Sequence, residues 1–404
     1  MLTRIFHRDL VDDVLRETGK AGERTRLMPG RVTVYFVLAM CLFFEDAYEE
    51  VMRKLVNGLQ FLGNWAPGWH VPTSSAISQA RSRLEAAPLA ALFDRVAVPM
   101  ARSATIGAWF HGWRVMAVDG VMFDVPDTPE NLAEFGKIGS GRNRSPYPQV
   151  RLVGLGEAGT HAIVAAAFDA GKTSERALIQ QLIPAFEPGM LVLCDRGFYS
   201  YQLWQAASAT GAALLWRLKN DIKIPVLATL PDGSYRSELL PRHLKANQHR
   251  GQRRGTRAHI PDQARIPVRV IEYTITNRDG KAETIKIMTT ILDPEIAPAG
   301  ELATLYAQRW EFELTLNEVE THQMSTRQLR SRTPELVRQE IWALLLTHYA
   351  VRYFMLEAAD DIDDDIGDVV DVDRISFVRS IRVLRRQVVN QAGFSPSPPE
   401  HRGP

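Results

Sequence analysis

Trp113-Arg-Val-Met-Ala-Val-Asp119 is the point at which the chain changes texture. Residues 1–110 read as mostly helical, with breaks at Gly19, Pro29-Gly30, residues 63–72 and Pro88. From Trp113 the segments become short, apolar and β-rich, and this first one ends on an acid. Two further strands read as Gln149-Val-Arg-Leu-Val-Gly-Leu and His161-Ala-Ile-Val-Ala-Ala-Ala-Phe168, joined by the turn Gly156-Glu-Ala-Gly159. Residues 126–148, rich in Gly, Asn, Arg and Pro, read as a loop carrying Lys137, Arg142 and Arg144. A helix is expected over 174–186, then the buried strand Met190-Leu-Val-Leu-Cys194, which also ends on an acid, Asp195. Ser200 caps a further helix that stops at Gly211, and Ala213-Leu-Leu-Trp-Arg-Leu218 is another strand.

Strand, hairpin, helix, strand, helix, strand is the mixed α/β order of a ribonuclease-H-like core. Around it the chain divides into a helical N-terminal domain (1–110), the first part of the core (111–218), a β-rich insertion (219–293), the second part of the core (294–358) and a C-terminal tail (359–404). The tail is first acidic, from Asp360 to Asp373, and then basic, from Arg374 to Arg386.

The 404 residues suffice for two or three domains with cores, and 45% hydrophobic with 24% charged residues is ordinary for a globular protein. A net charge of +1 says little about partners, because the charge is unevenly spread. Cys41 and Cys194 both lie in apolar runs, which argues against a disulfide framework and fits a reducing cytoplasm. The N-terminus lacks the pattern of a signal peptide, and the apolar run Val32 to Phe44 is too short to span a bilayer, so no membrane role is indicated.

Three features suit nucleic acid. Arg81 and Arg83 stand on an expected helix after Pro72 and suit a groove or phosphates; an ordinary capped surface helix explains them equally well. Arg142 and Arg144 lie in the loop described above. Arg250, Arg253, Arg254 and Arg257 belong to a run with no acidic residue, which is either a solvated loop or an electrostatic footprint for DNA.

The chemistry is expected from carboxylates. An Asp at the end of a buried strand is costly unless paired or metal-bound, and Asp119 and Asp195 both hold that position. A helix is expected over Tyr306-Ala-Gln-Arg309-Trp-Glu-Phe-Glu313-Leu-Thr-Leu-Asn-Glu318-Val-Glu320, with Tyr306, Arg309, Glu313 and Glu320 near one stripe. Taken alone, that stripe is a solvated face with an Arg309–Glu313 pair. Three carboxylates from separate elements, however, are what two Mg²⁺ (or Mn²⁺) ions require for phosphodiester chemistry. Asp124 falls on the opposite face of its strand and is structural.

Val118-Asp119-Gly120 with Asp124-Val-Pro-Asp127-Thr, Cys194-Asp195-Arg196-Gly197-Phe198-Tyr199-Ser200 and Tyr306-x-x-Arg309-x-x-x-Glu313 together resemble the DDE transposases of the insertion-sequence-four family. The resemblance covers nearly the whole chain. It implies that Asp119, Asp195 and Glu313 bind the metals, that Tyr306 and Arg309 meet transposon-end DNA, and that Arg196 contacts DNA or orients a carboxylate. It also implies a homodimer on double-stranded transposon ends and target DNA, in a bacterial cytoplasm and at the nucleoid when bound. One place departs: the signature's Lys position is Glu320, and Arg327, Arg330 or Arg332 are the candidates to replace that base. The alternative is a non-catalytic DNA-binding derivative acting as inhibitor or repressor, which Glu320 favours and the three carboxylates oppose. A two-carboxylate glycosidase is disfavoured by the basic insertion and by the lack of an aromatic sugar platform.

Overall fold

The structure, a computed structural model, describes residues 2–22, 28–60, 70–241, 244, 261, 264–276, 282–309, 315–324, 326–366 and 369–390, without the side chains of 57–60, 363–366 and 389–390. Its centre is a ten-stranded mixed sheet: β1 (Trp109–Phe110), β2 (Trp113–Asp124), β3 (Gln149–Glu157), β4 (Ile163–Ala170), β5 (Met190–Cys194), β6 (Ala213–Arg217), β7 (Ala228–Thr229), β8 (Tyr235–Leu239), β9 (Ile266–Thr276) and β10 (Ala282–Thr289). The spatial order is β4-β3-β2-β5-β6-β10-β9-β8-β7, with β1 beside β2. β2, β3 and β4 form an antiparallel meander, while β5 and β6 run parallel to β2. That is the ribonuclease-H-like core expected from the order of segments.

Parallel strands need crossovers, and two helices supply them on one face. Ser174 accepts a hydrogen bond from the Ala177 amide at the head of Glu175–Leu182, and Ser200 does the same for Leu203 at the head of Tyr201–Ser208. Their Leu178, Ile179, Leu182, Leu203 and Trp204 pack with even-numbered strand residues such as Met116, Val118, Val192 and Trp216. The opposite face, with Val115, Ala117, Leu191, Leu193 and Leu215, is covered by helices Ala299–Gln308 and Pro334–Ile366.

Several expectations are corrected. The expected loop 126–148 contains the helix Pro129–Phe135, capped by Thr128 with Pro at its first position. The β-rich segment 219–293 is not set apart, because β10 pairs with β6 and continues the same sheet. The helix expected over 306–320 is instead Ala299–Gln308, and Glu318–Gln323 is π-helical. The helix Pro334–Ile366 runs straight across the expected boundary at 358/359.

The helical region 1–110 shares its core with the rest. Gly30–Leu42 is buried from Thr33 through Leu42 and packs along Pro334–Ile366. The apolar run 32–44 thus falls on a buried helix as expected, with Phe43 and Phe44 just beyond its end, and no helix among the described residues is long and apolar enough to cross a membrane.

Candidate active site

Val118 of β2 lies opposite Cys194 of β5 in parallel register, so Asp119 and Asp195 each come next on neighbouring strands about 4.8 Å apart. Successive strand side chains alternate faces, and Ala117 and Leu193 point into the cluster beneath Ala299–Gln308. Both carboxylates therefore emerge on that face, where the parallel β2–β5 pairing stops, with side chains 21% and 30% exposed; the strand expected to end on Asp119 runs on to Asp124, because β3 continues to pair with it. Two like charges at strand spacing repel by about 3 kcal/mol at an effective dielectric constant of 20, so the cations beside them matter. Arg309 Nη1 lies 3.7 Å from Asp119 Oδ2, and Arg217 Nη1 lies 4.0 Å from Asp195 Oδ1. Cys194 is opposite Trp216 in the next parallel pair, so Arg217 holds on β6 the place Asp195 holds just after β5. Its other arm binds Glu283 of β10.

Helix Ala299–Gln308 brings Tyr306 down onto this edge. The Tyr306 hydroxyl donates to the Cys194 carbonyl at 3.3 Å and reaches Asp195 Oδ1 at 3.5 Å, with the Arg309 guanidinium 5.9 Å from its ring. Burial pushes the Tyr306 phenol well above its ordinary value, which keeps it a proton donor. Burial likewise raises the Cys194 thiol, which removes it as a nucleophile.

The mount of that helix lies in the β-rich extension. Asp232, between β7 and β8, accepts the Ala299 amide at 2.9 Å and binds the guanidinium of Arg269. Arg269 is fully buried and also donates to Ser234 Oγ at 2.8 Å and to the Ala297 carbonyl at 2.7 Å. On the other face of the sheet Arg151 donates to Glu175 at 2.7 Å. A Cβ on Gly120 would stand 3.2 Å from the Leu152 carbonyl and 3.5 Å from this carboxylate, and one on Gly197 would stand 3.4 Å from it. The tight approach is therefore that of the Leu152 carbonyl to Gly120, while Glu175 sits at ordinary contact distance behind both glycines. Arg176 donates to the Gly197 carbonyl at 3.0 Å and pins the second turn.

Asp119, Asp195, Tyr306 and Arg309 are thus brought together. Glu313 lies in residues 310–314, outside the described residues, as do Arg250, Arg253, Arg254 and Arg257. Arg83, Arg142, Arg144 and Arg196 are exposed, as a DNA contact requires. Arg81 is corrected: it is fully buried, donating to Gln339 Oε1 at 2.9 Å, to Ser331 Oγ at 2.8 Å and to Tyr48, so it joins helices rather than facing solvent. Tyr306 and Arg309, expected on a DNA-facing stripe, are 6% and 5% exposed and face the aspartates instead. Asp124 accepts from Gln149 at 2.8 Å, in keeping with a structural role. Glu320 binds Arg327 Nε at 2.9 Å, and Arg330 is held by the Phe44 and Asp46 carbonyls, which leaves Arg332 exposed.

Arg217, Glu175 and Glu283 were missed in the sequence. Arg217 carried a usable signal, since it ends a parallel strand much as Asp195 follows one; Glu175 and Glu283 carried none. Among the described residues no three His, Cys, Asp or Glu gather as a metal site. The two aspartates are hard, adjacent oxygen donors, the type that Mg²⁺ takes together with waters and phosphate oxygens.

Residues 1–94 match the family described as insertion element 4 transposase N-terminal, and residues 111–349 match the transposase DDE domain. The chain is similar to the transposase InsG for insertion sequence element IS4 of Escherichia coli (strain K12). The two are 31% identical over 391 residues, which is 96% of this chain and 82% of the relative. Among solved structures it is similar to the piggyBac transposase synaptic complex with hairpin DNA, with a TM-score of 0.49 and 12% identity over 96% of this chain and 79% of that one.

Proposed function

Because the chain belongs to the insertion-sequence-four family of DDE transposases, we propose that it binds the terminal inverted repeats of an insertion sequence as a dimer, cuts DNA there and joins the freed 3′ hydroxyl to target DNA. The observation that carries this reading is the pair Asp119 and Asp195, on adjacent parallel strands and facing one way. Glu313 completes the triad by its place in the motif after Tyr306 and Arg309.

Asp119, Asp195 and Glu313 would hold Mg²⁺ or Mn²⁺. Divalent cations bound there supply Lewis acidity to the scissile phosphate and lower the pKa of an attacking water. The protein's part is placement. Tyr306 fixes the rotamer of Asp195 by hydrogen bonding, Arg309 draws Asp119 towards the helix, and Arg217 adds a cation where phosphate charge would arrive. Tyr306 and Arg309 are therefore positioning residues here, and exposed Arg83, Arg142, Arg144 and Arg196 are the DNA contacts on the described surface. Arg250, Arg253, Arg254 and Arg257 add to these from the basic run, and the enzyme would sit on the nucleoid when bound.

Glu320, an acid in the signature's basic place, favours the second reading, a DNA-binding derivative that does not cut. Supercoiled DNA carrying the element's ends separates the two. Nicking or excision that requires Mg²⁺ or Mn²⁺ and stops with chelator supports the enzyme; shifted but uncut DNA supports the binder.

A further inference from the structure

The last described helix, Phe377–Asn390, carries Arg379, Arg382, Arg385 and Arg386 and no acid. Phe377, Ile381 and Leu384 are buried, and the helix packs against Tyr48–Gln60, Pro334–Ile366 and the π-helical segment Glu318–Gln323. Phe377 stacks on the buried His348 ring at 5.4 Å, and Arg385 is spent on the Leu42 carbonyl at 2.6 Å. The remaining arginines, 379, 382 and 386, fall within about 60° of one another at 100° per residue, opposite the buried stripe. All three are exposed, and among the described residues none makes an ion pair.

Like charges at i, i+3 and i, i+4 cost a few tenths of a kcal/mol each, so this face is not arranged for helix stability. Of the nearby acids, Asp46 is paired with Lys54 at 2.5 Å. Asp373 binds His161 and Arg352, while Glu45 and Asp46 line the cavity beside Arg386 together with Lys54. We propose that Arg379, Arg382 and Arg386 form a second contact surface for the phosphate backbone of duplex DNA, outside the matched segments 1–94 and 111–349. The three arginines span about 10 Å of helix, close to the rise of three base pairs. The helix also packs on Glu318–Gln323, a few residues after the proposed third carboxylate. The inference rests on the transposase reading for its partner.

The test is duplex binding by the full chain across salt concentrations, with the element's end and with a scrambled duplex. The triple variant Arg379→Gln, Arg382→Gln, Arg386→Gln should lose affinity equally for both duplexes. Its slope of log K against log salt should shrink by about 2–3, at roughly 0.9 per phosphate contact. The corresponding triple Lys variant should keep the parental slope. The single Arg382→Gln should lower it by about 1 and serves if the triple variant melts early. An unchanged slope in a folded variant overturns the inference while leaving the transposase reading intact. So does an unchanged slope accompanied by a shift in oligomeric state, which would make the face a contact between two copies. A parent chain that binds no duplex overturns both.

Discussion

Asp119 and Asp195 stand beside each other only because β2 and β5 are parallel and in a register whose last pair is Val118 with Cys194. Asp119→Asn and Asp195→Asn should each reduce metal-dependent cleavage by more than the roughly 10–100-fold that loss of a supporting hydrogen bond costs, while gel-shift binding of an end duplex persists. A variant that cuts at the parental rate removes that residue from the metal site. Tyr306→Phe keeps the packed ring and removes only the hydroxyl. Cleavage should fall roughly 10–100-fold and recover partly at higher Mg²⁺, as a titration would show. Asp195 was legible because an acid closing an apolar strand is conspicuous in a linear sequence, and Asp119 because it follows an apolar run, although β2 continues beyond it to Asp124. The direction of Tyr306 and Arg309 was not: periodicity groups residues into a stripe without saying whether the stripe meets solvent or a sheet edge.

Helix Ala299–Gln308 reaches the site from a start clipped by Asp232 and Arg269, so the β-rich extension acts on the site as a mount. Arg269→Ala leaves Asp232 without its buried partner and should cost about 3–5 kcal/mol by denaturant unfolding; a loss under about 1 kcal/mol would deny the mount. A second polar group joins Glu318 to the long C-terminal helix. Burial holds His348 below the usual histidine value; its Nε2 lies 3.1 Å from Glu318, and its Nδ1 has no partner among the described residues. The unfolded chain therefore takes up this proton below about pH 6.5 while the folded chain does not, and stability falls as pH drops from there. Burial alone would raise the Glu318 carboxyl, but the His348 hydrogen bond and the Arg352 charge outweigh it and leave it lowered. That contribution is present above about pH 4.5 and is lost as pH falls through the folded value. Melting temperature should thus decline in two stages on acidification, and His348→Gln should flatten the upper one; a melting temperature that rises between pH 7 and 5.5 would refute the assignment. Strands and caps were readable from β-branched runs and from Ser174 and Ser200. The union of the two β regions was not, because the pairing of β6 with β10 joins segments some seventy residues apart.

The N-terminal helices and the C-terminal helix Pro334–Ile366 form one core, tied by Arg81 to Gln339, the Ala86 amide to Glu335 and Arg330 to the Phe44 carbonyl. A fragment of residues 1–110 should therefore fail to fold alone, showing broad, poorly dispersed NMR signals, and the intact chain should unfold with the helical region included. A dispersed spectrum would make that region an independent domain. Its helical character was legible, but its dependence was not, since a helix that is apolar all round does not name what surrounds it. The same arrangement sets a timetable for biosynthesis. The apolar helix Gly30–Leu42 leaves the ribosome some 300 residues before the helix that covers it. At roughly 5–20 residues per second that interval lasts on the order of tens of seconds, so the nascent chain should depend on chaperones and gain its activity only once the helix Pro334–Ile366 has emerged.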